Sequence, residues 1–280
     1  MADCFKKSKS TFSVGCLMLL VLASISLAAP PSSRLALVIG NGGYKASPLR
    51  NAVTDGRDMA AALSRMGFDV IHRDDMDQRG MEDCIKQFGK TLRNAQVGLF
   101  YFAGHGMQVE GRNYLIPVGA RIQQESDIKY EAVDAGRVLD AMNSAGNPLN
   151  IVILDACRDN PFARSFRSAQ RGLVRMDAPK GTLIAYATSP GKVAIDGQGR
   201  NSPYTAALLK YMALPGLTVE QVFKGARVDL DRLTASRQIP WESTSLTGDF
   251  YFSPSKEKRY TLPVPQPAPP SRPATKPRVS

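Results

Sequence analysis

The sequence predicts an α/β protein in which helices flank a mostly parallel central sheet of about six strands. Short apolar runs alternate with amphipathic segments along the chain, which is the pattern of strands joined by crossover helices. The 280 residues are 43% hydrophobic, which is enough for one sizeable core with peripheral segments. Cysteine is scarce, so we expect a core of this size to be stable without disulfide bonds.

The first half of the chain is predicted to contain three strands, two amphipathic helices and a hairpin. The runs LALVIG, FDVIHR and VGLFYFAG predict strands at 35–40, 68–73 and 97–104. Apolar residues three and four positions apart predict a helix over 49–66, which ends before Gly67, and a second helix over 81–94. The segment MQVEGRNYLIPV predicts a hairpin over 107–118 that turns near Gly111.

The second half continues the alternation, with an aperiodic, arginine-rich stretch over 158–178 between two of its strands. A capping box formed by Thr218 and Gln221 marks the start of one helix. The predicted elements, in chain order, are helix 134–145, strand 149–156, strand 181–189, helix 203–214, helix 218–233 and strand 248–252.

The two ends of the chain differ in character from the body. Residues 1–29 combine an early lysine cluster, an apolar run and the small-residue exit SLAAP, which predicts a signal peptide cleaved after Ala28 or Ala29. The alternative is an uncleaved membrane anchor, because the apolar run is nearly long enough to span a bilayer. We therefore expect an exported protein, periplasmic or secreted, that contacts a membrane only if this segment is retained. Residues 254–280 are rich in proline and basic residues and predict a disordered tail.

Much of the basic excess resides in these ends. The formal net charge is +11, and direct counts place about +2 in the first 29 residues and about +5 after Phe252. The body has no basic patch interleaved with aromatic residues, so the sequence gives little support to nucleic-acid binding.

The third and fourth predicted strands end in residues suited to nucleophilic catalysis. His105 follows the third strand between two glycines, and Cys157 follows the fourth. Sites in parallel sheets form beyond the carboxyl ends of the strands, and a thiol needs a basic neighbour to become a strong nucleophile. We predict that His105 is the base and Cys157 the nucleophile. The alternative is a buried core histidine and an inert thiol.

Two further groups complete the predicted site. The N–H groups of Gly106 and Cys157 are candidates for an oxyanion hole. Asp155 shares a strand face with Cys157, and an acid does not favour a nearby thiolate, so it is predicted to bind a cationic substrate side chain. The alternative is that Asp155 pairs with Arg158 or caps a turn.

Other chemistry receives less support. His72 and Cys84 lie within predicted elements without catalytic neighbours, and the few histidines and cysteines lack the paired spacing of a metal site. The segment GNGGY after the first strand suggests nucleotide binding, but it lacks the G-x-G-x-x-G spacing, and PGKVA lacks the remaining residues of a P-loop.

The motifs FAGHGM and LDACRDN resemble the histidine and nucleophile motifs of caspase-like cysteine peptidases, the clan of caspases, metacaspases and paracaspases. Cys157 follows His105 by 52 residues, similar to the spacing in that family. The resemblance covers residues 34–252. It implies a three-layer sandwich with a peptidase domain over 30–253, divided into a large-subunit-like part (34–157), a linker (158–178) and a small-subunit-like part (179–253).

The resemblance also implies an activity. Caspases carry Gln where this chain has Asp155, whereas metacaspases and paracaspases carry Asp and cut after Arg or Lys; their second pocket acid matches Asp55. The expected protein is a cysteine endopeptidase acting on protein or peptide substrates through an acyl-enzyme, without a cofactor, with calcium activation left open. Self-cleavage in the arginine-rich linker and a monomeric state are further expectations. The alternative is a non-catalytic interaction or regulatory protein with the same fold.

Overall fold

The computed structural model describes residues 33–156 and 172–255, all within the compact unit Ser32–Ser280. Its centre is a six-stranded sheet in the order β2-β1-β3-β7-β8-β9. The strands are β1 (Arg34–Gly40), β2 (Phe68–Asp74), β3 (Val97–Gly104), β7 (Leu149–Ala156), β8 (Thr182–Tyr186) and β9 (Trp241–Thr244). The first five are parallel and β9 is antiparallel to β8, which confirms the predicted mostly parallel α/β sheet.

Apart from the short helix Ile128–Glu131, the helices form two groups, one on each face of the sheet. They are α1 (Ala52–Arg65), α2 (Gln78–Leu92), α3 (Ile128–Glu131), α4 (Gly136–Ala145), α5 (Pro203–Met212) and α6 (Val219–Leu233). Because β2 and β3 lie on opposite sides of β1, right-handed crossovers place α1 and α2 on opposite faces. Helix α5 packs against α1 and α6, and α4 packs against α2, so the sheet lies between two helical layers.

The predicted hairpin is present and belongs to a second, smaller antiparallel sheet. It consists of β4 (Gly106–Val109), β5 (Arg112–Leu115) and β6 (Val133–Asp134), in that order. Glu110 and Gly111 form the two-residue turn with φ of 50° and 75°, the positive values that a type I′ hairpin turn requires. The hairpin begins directly after His105, so this small sheet extends from the carboxyl edge of the large one.

One strand prediction was wrong. Residues 248–252 form no ladder: Tyr251 makes an isolated bridge with Thr218, and the sixth strand is β9 instead. Phe250 is nevertheless fully buried in the core: its ring packs edge-on against Phe252 with 5.0 Å between centroids, and the guanidinium of Arg34 lies 5.2 Å from its centre. The segment therefore serves core packing, although its aromatic residues resemble those of a strand.

Local signals explain where the helices begin. Asp77 caps α2 by accepting the Gly80 N–H at 2.8 Å, and Ser202 caps α5 directly before Pro203. The predicted Thr218/Gln221 capping box is present at the start of α6. None of the helices in the described ranges 33–156 and 172–255 is long and apolar enough to cross a membrane.

Candidate active site

The carboxyl edge of the sheet brings the two predicted catalytic segments next to each other. Strands β3 and β7 are direct neighbours, and their register pairs Gly104 with Ala156. His105 follows Gly104 in the chain, and Cys157 follows Ala156. Cys157 itself lies outside the described residues, so the structure describes the histidine half of the predicted dyad and the strand that leads to the thiol.

His105 is buried, and a backbone carbonyl orients its imidazole. The Nε2 atom lies 2.8 Å from the carbonyl oxygen of Ser47, in the loop between β1 and α1. Because a carbonyl oxygen can only accept a hydrogen bond, Nε2 must carry the proton. In the neutral ring Nδ1 is then the nitrogen that can accept a proton, which is the tautomer that a general base requires.

Gly106 lies against the end of β7. It is buried, and a Cβ at this position would lie 3.0 Å from the Cβ of Ala156 and 3.2 Å from the Cδ2 of Leu173. The absence of a side chain therefore allows the hairpin to approach the residue before Cys157 closely. The oxyanion-hole role of Gly106 and Cys157 stays a prediction.

Asp55 and Asp155 are both fully buried, and Ser202 links them. The Ser202 N–H donates to Asp55 Oδ1 at 2.9 Å, and its hydroxyl donates to Asp155 Oδ2 at 2.5 Å. The hydroxyl of Thr205 donates to the same Asp155 oxygen at 2.8 Å. The two acids predicted from distant segments therefore meet at the N-terminus of α5, where backbone N–H groups and the helix dipole favour negative charge.

The surroundings of Asp155 are buried. The neighbouring phenol of Tyr204 is fully buried, and its pKa is raised well above 10, first by burial and then by the negative charge of Asp155. The alternative pairing with Arg158 lies outside the described residues. Sequence reasoning missed Ser202 and Thr205, although the pattern NSPYT, a cap residue followed by proline, already marks the start of α5.

A third acid lies near the start of α1. The carboxylate of Asp196 accepts the Arg50 N–H at 2.9 Å, and its backbone carbonyl accepts the Asn51 side chain at 2.6 Å. The same loop is fastened by Arg200, which makes two hydrogen bonds of 2.8 and 2.7 Å to Asp58 and lowers the pKa of that acid. These contacts hold the loop before α5 against the helix that carries Asp55.

The segment that follows the linker is held against the small sheet. The buried amide of Asn113 pairs with the backbone of Val174 in both directions, at 2.7 Å to the carbonyl and 2.8 Å from the N–H. Leu173 contacts Gly106, as described above. The Asn113 side chain thus makes the two hydrogen bonds to Val174 that the backbone of a neighbouring strand would make, and it holds the segment after the linker in place.

The histidine and the cysteine that the sequence analysis set aside fall outside this cluster. His72 lies on β2 and its Nε2 is 2.9 Å from Asp74, while Cys84 is a partly buried free thiol on α2. Within the described residues no cluster of three or more histidine, cysteine or acidic residues could hold a metal ion.

The fold and this site define an α/β sandwich with a cluster of buried polar groups at the carboxyl edge of its mostly parallel sheet. The family model of the caspase domain, Peptidase_C14, matches residues 33–251. The chain therefore belongs to the caspase-domain family, which confirms the resemblance drawn from the motifs.

Two curated relatives are similar to part of the chain. They are the human mucosa-associated lymphoid tissue lymphoma translocation protein 1 and its mouse homologue, each 29% identical over 126 residues. The match covers 45% of this chain and 15% of each relative, so the chain spans only a small part of their length.

Proposed function

We propose that this protein is a cysteine endopeptidase that cleaves peptide bonds after Arg or Lys. The observation that carries the proposal is the register of β3 and β7, which pairs Gly104 with Ala156, so that His105 and Cys157 follow neighbouring positions. Membership of the caspase-domain family supports a peptidase that acts on proteins or peptides.

In the proposed reaction, the thiol of Cys157 gives its proton to Nδ1 of His105, and the sulfur attacks the carbonyl carbon of the scissile bond. The N–H groups of Gly106 and Cys157 stabilise the tetrahedral oxyanion. The imidazolium then protonates the leaving amine, the C–N bond breaks and a thioester remains. Water, deprotonated by His105, attacks the thioester, which releases the carboxylic acid and restores the thiol.

The preference for a basic residue rests on Asp55 and Asp155. Two buried carboxylates supplied with hydrogen bonds by α5 form a negative region at the same edge of the sheet as His105. Such a region favours a guanidinium or ammonium group and disfavours an acidic side chain.

Fluorogenic peptides ending in Arg, Lys or Asp, tested side by side on the full chain, examine both parts of the proposal. We expect cleavage of the Arg and Lys peptides, and a loss of kcat/KM of about a thousandfold or more in Cys157→Ala. Cys84→Ala is the matched control, because it removes a thiol on α2, away from the carboxyl edge, and should leave the rate unchanged.

Two outcomes would contradict the proposal in different ways. Cleavage of the Asp peptide alone would contradict the preference for Arg or Lys but would still support a peptidase. A folded wild-type protein that cleaves none of the three at rates above Cys157→Ala would favour the non-catalytic interaction protein.

Export and self-cleavage belong to the same proposal and rest on sequence alone. The N-terminal segment supports a periplasmic or secreted enzyme, and the arginines of 158–178 supply cleavage sites for an Arg-specific enzyme. Mass spectrometry of the purified protein should find a new N-terminus after Ala28 or Ala29. It should also find cuts within 158–178 that are absent in Cys157→Ala; an intact linker after prolonged incubation of active enzyme would contradict self-cleavage.

A further inference from the structure

The GNGGY segment, residues 40–44, suggested a nucleotide site that the proposed function leaves without a role. Its amides are already occupied: the N–H groups of Gly42 and Gly43 both donate to Asp75 Oδ1 at 2.8 Å. A carboxylate of the chain itself therefore takes the position that a phosphate would need. The segment has a different function, and the contacts of its last residue, Tyr44, indicate which.

Tyr44 contacts His105 in two ways. Its hydroxyl accepts the backbone N–H of His105 at 3.1 Å, and its ring lies against the imidazole with 4.4 Å between ring centroids and 54° between planes. A Cβ on Gly104 would lie 2.8 Å from the Tyr44 oxygen. The absence of a side chain on Gly104 thus leaves room for the Tyr44 phenol and for the ring of Phe102.

Ile116 closes a hydrogen-bonded circuit around the histidine. The Tyr44 hydroxyl donates to the carbonyl oxygen of Ile116 at 2.8 Å, and the N–H of Ile116 donates to the carbonyl oxygen of His105 at 3.0 Å. Both backbone polar groups of His105 are therefore fixed by one pair of residues. The circuit is buried, which makes its hydrogen bonds costly to lose.

Asn41 and Asp75 anchor the circuit to the sheet. The Asn41 side chain accepts the Met76 N–H at 2.9 Å and lies 3.4 Å from the Ile116 carbonyl oxygen, to which it donates. Asp75 fixes the turn directly before Tyr44 through its two amide contacts. The whole GNGGY segment thus connects the ends of β1, β2 and the hairpin with His105.

We propose that Tyr44 is a positioning residue for catalysis: its hydroxyl and ring set the position of the His105 imidazole without touching the substrate. The expected effect of Tyr44 on the reaction rate rests on the proposed peptidase function. The arrangement of His105 itself can be tested whether or not the chain is a peptidase.

The test is Tyr44→Phe in the full chain, which removes one oxygen and keeps the ring. The matched control is Tyr251→Phe, because Tyr251 is as buried as Tyr44, at 8% exposed, and its hydroxyl donates to Asp249 at 2.9 Å. Tyr251 belongs to the segment packed at the start of α6, where Phe250 contacts Arg34 at the amino end of β1.

We expect Tyr44→Phe to lower kcat on the preferred peptide by about tenfold or more with KM changed less than about twofold. Tyr251→Phe should leave both kcat and KM unchanged. If Tyr44 only stabilised the fold, Tyr44→Phe would change neither constant at temperatures below the melting temperature of the variant. The chain has only two histidines, so the imidazole signals in a 15N-histidine NMR spectrum report His105 directly. Tyr44→Phe should shift the His105 signals and leave those of His72 in place.

Unchanged kcat together with unchanged His105 signals would overturn the proposal. A wild-type protein that cleaves no peptide, but whose His105 signals move in Tyr44→Phe, would remove the peptidase function and retain the positioning. If Tyr44→Phe does not fold, Asp75→Gly replaces it: the φ of 49° suits glycine, and the substitution removes the carboxylate that holds the turn before Tyr44. A lower kcat with unchanged KM would again support the proposal, and an unchanged kcat with unmoved His105 signals would overturn it.

Discussion

His105 and the acid pair Asp55/Asp155 lie at the same edge of the sheet, but they are held by different kinds of groups. A carbonyl and a phenol hold the histidine, with Nε2 at 2.8 Å from Ser47 and the backbone N–H at 3.1 Å from Tyr44. Hydrogen-bond donors hold the acids, with Ser202 contacting both carboxylates.

The difference follows from what each group must do. A neutral imidazole needs one acceptor that selects its tautomer and fixes its plane, because only the orientation of the ring is at stake. A buried carboxylate must be stabilised as an anion, which requires several donors and the favourable end of a helix. Changes at the histidine should therefore affect all substrates alike, whereas changes at the acids should affect selectivity and stability.

The largest effect that separates the two regions is expected from Asp155→Asn. The amide removes the charge while keeping the shape, so kcat/KM for an Arg peptide should fall by about a hundredfold or more. A peptide with citrulline in place of Arg, which has the shape without the charge, should lose far less. The ratio of the two rates is the measurement.

Asp83→Asn is the matched control for this comparison. Asp83 lies on α2 with its side chain 72% exposed, so its loss should leave both rates and their ratio unchanged. An equal fall for the Arg and citrulline peptides in Asp155→Asn would mean that Asp155 supports the fold of the site and does not select the substrate charge.

A smaller effect is expected from Ser202→Ala, which tests how the acids are supported. The Ser202 hydroxyl caps α5 by accepting the Thr205 N–H at 3.0 Å and also donates to Asp155. Its removal should lower the free energy of unfolding by about 2–4 kcal/mol, since a cap and a hydrogen bond to a charged group are lost together. Urea denaturation with a constant m-value measures this.

Thr218→Ala provides the comparison within the same chain. Thr218 caps α6 by accepting the Gln221 N–H at 3.3 Å and is partly exposed, so its loss should lower the free energy of unfolding by only about 1 kcal/mol. Equal destabilisation by both substitutions would show that the bond from Ser202 to Asp155 contributes little, and the distinction between the two regions would lose its energetic basis.

Four of the five parallel strands were predictable because each is a buried apolar run, and the strands over 97–104 and 149–156 have the predicted bounds. Strand β9 was missed because its sequence, WEST, is mostly polar and it lies at the edge, where it pairs only with β8 in the described sheet. Of its four residues only Ser243 is buried, so the strand gives no apolar signal.

For the candidate site, the sequence indicated residues at the strand ends but not the residues that hold them. His105 was selected as a candidate from the rule that sites lie beyond strand ends, but its hydrogen-bond partners Ser47 and Tyr44 lie 58 and 61 residues earlier, in a loop. The partners of Asp155 lie about 50 residues later, on α5. Such contacts depend on how the layers stack, and no local pattern in the chain encodes that choice.

The smallest expected effect concerns the loop that covers the start of α1. Arg200 lowers the pKa of Asp58 from its ordinary value of 3.8, mainly through their hydrogen bonds. An acid whose pKa is lower in the folded state stabilises the fold above its ordinary value, and this contribution is lost as pH falls through the folded-state pKa. Arg200→Gln should therefore lower the melting temperature slightly at neutral pH, and the difference from wild type should shrink below pH 3.8.

Arg79→Gln separates this effect from a general loss of positive charge. The Arg79 side chain is 93% exposed and lies 4.0 Å from Asp83, so we expect no measurable change in melting temperature at either pH. Added salt should also reduce the Arg200→Gln difference, because the pair is partly exposed to solvent. A difference that persists unchanged at low pH would mean that Arg200 fastens the loop by packing its stem and not by its bond to Asp58.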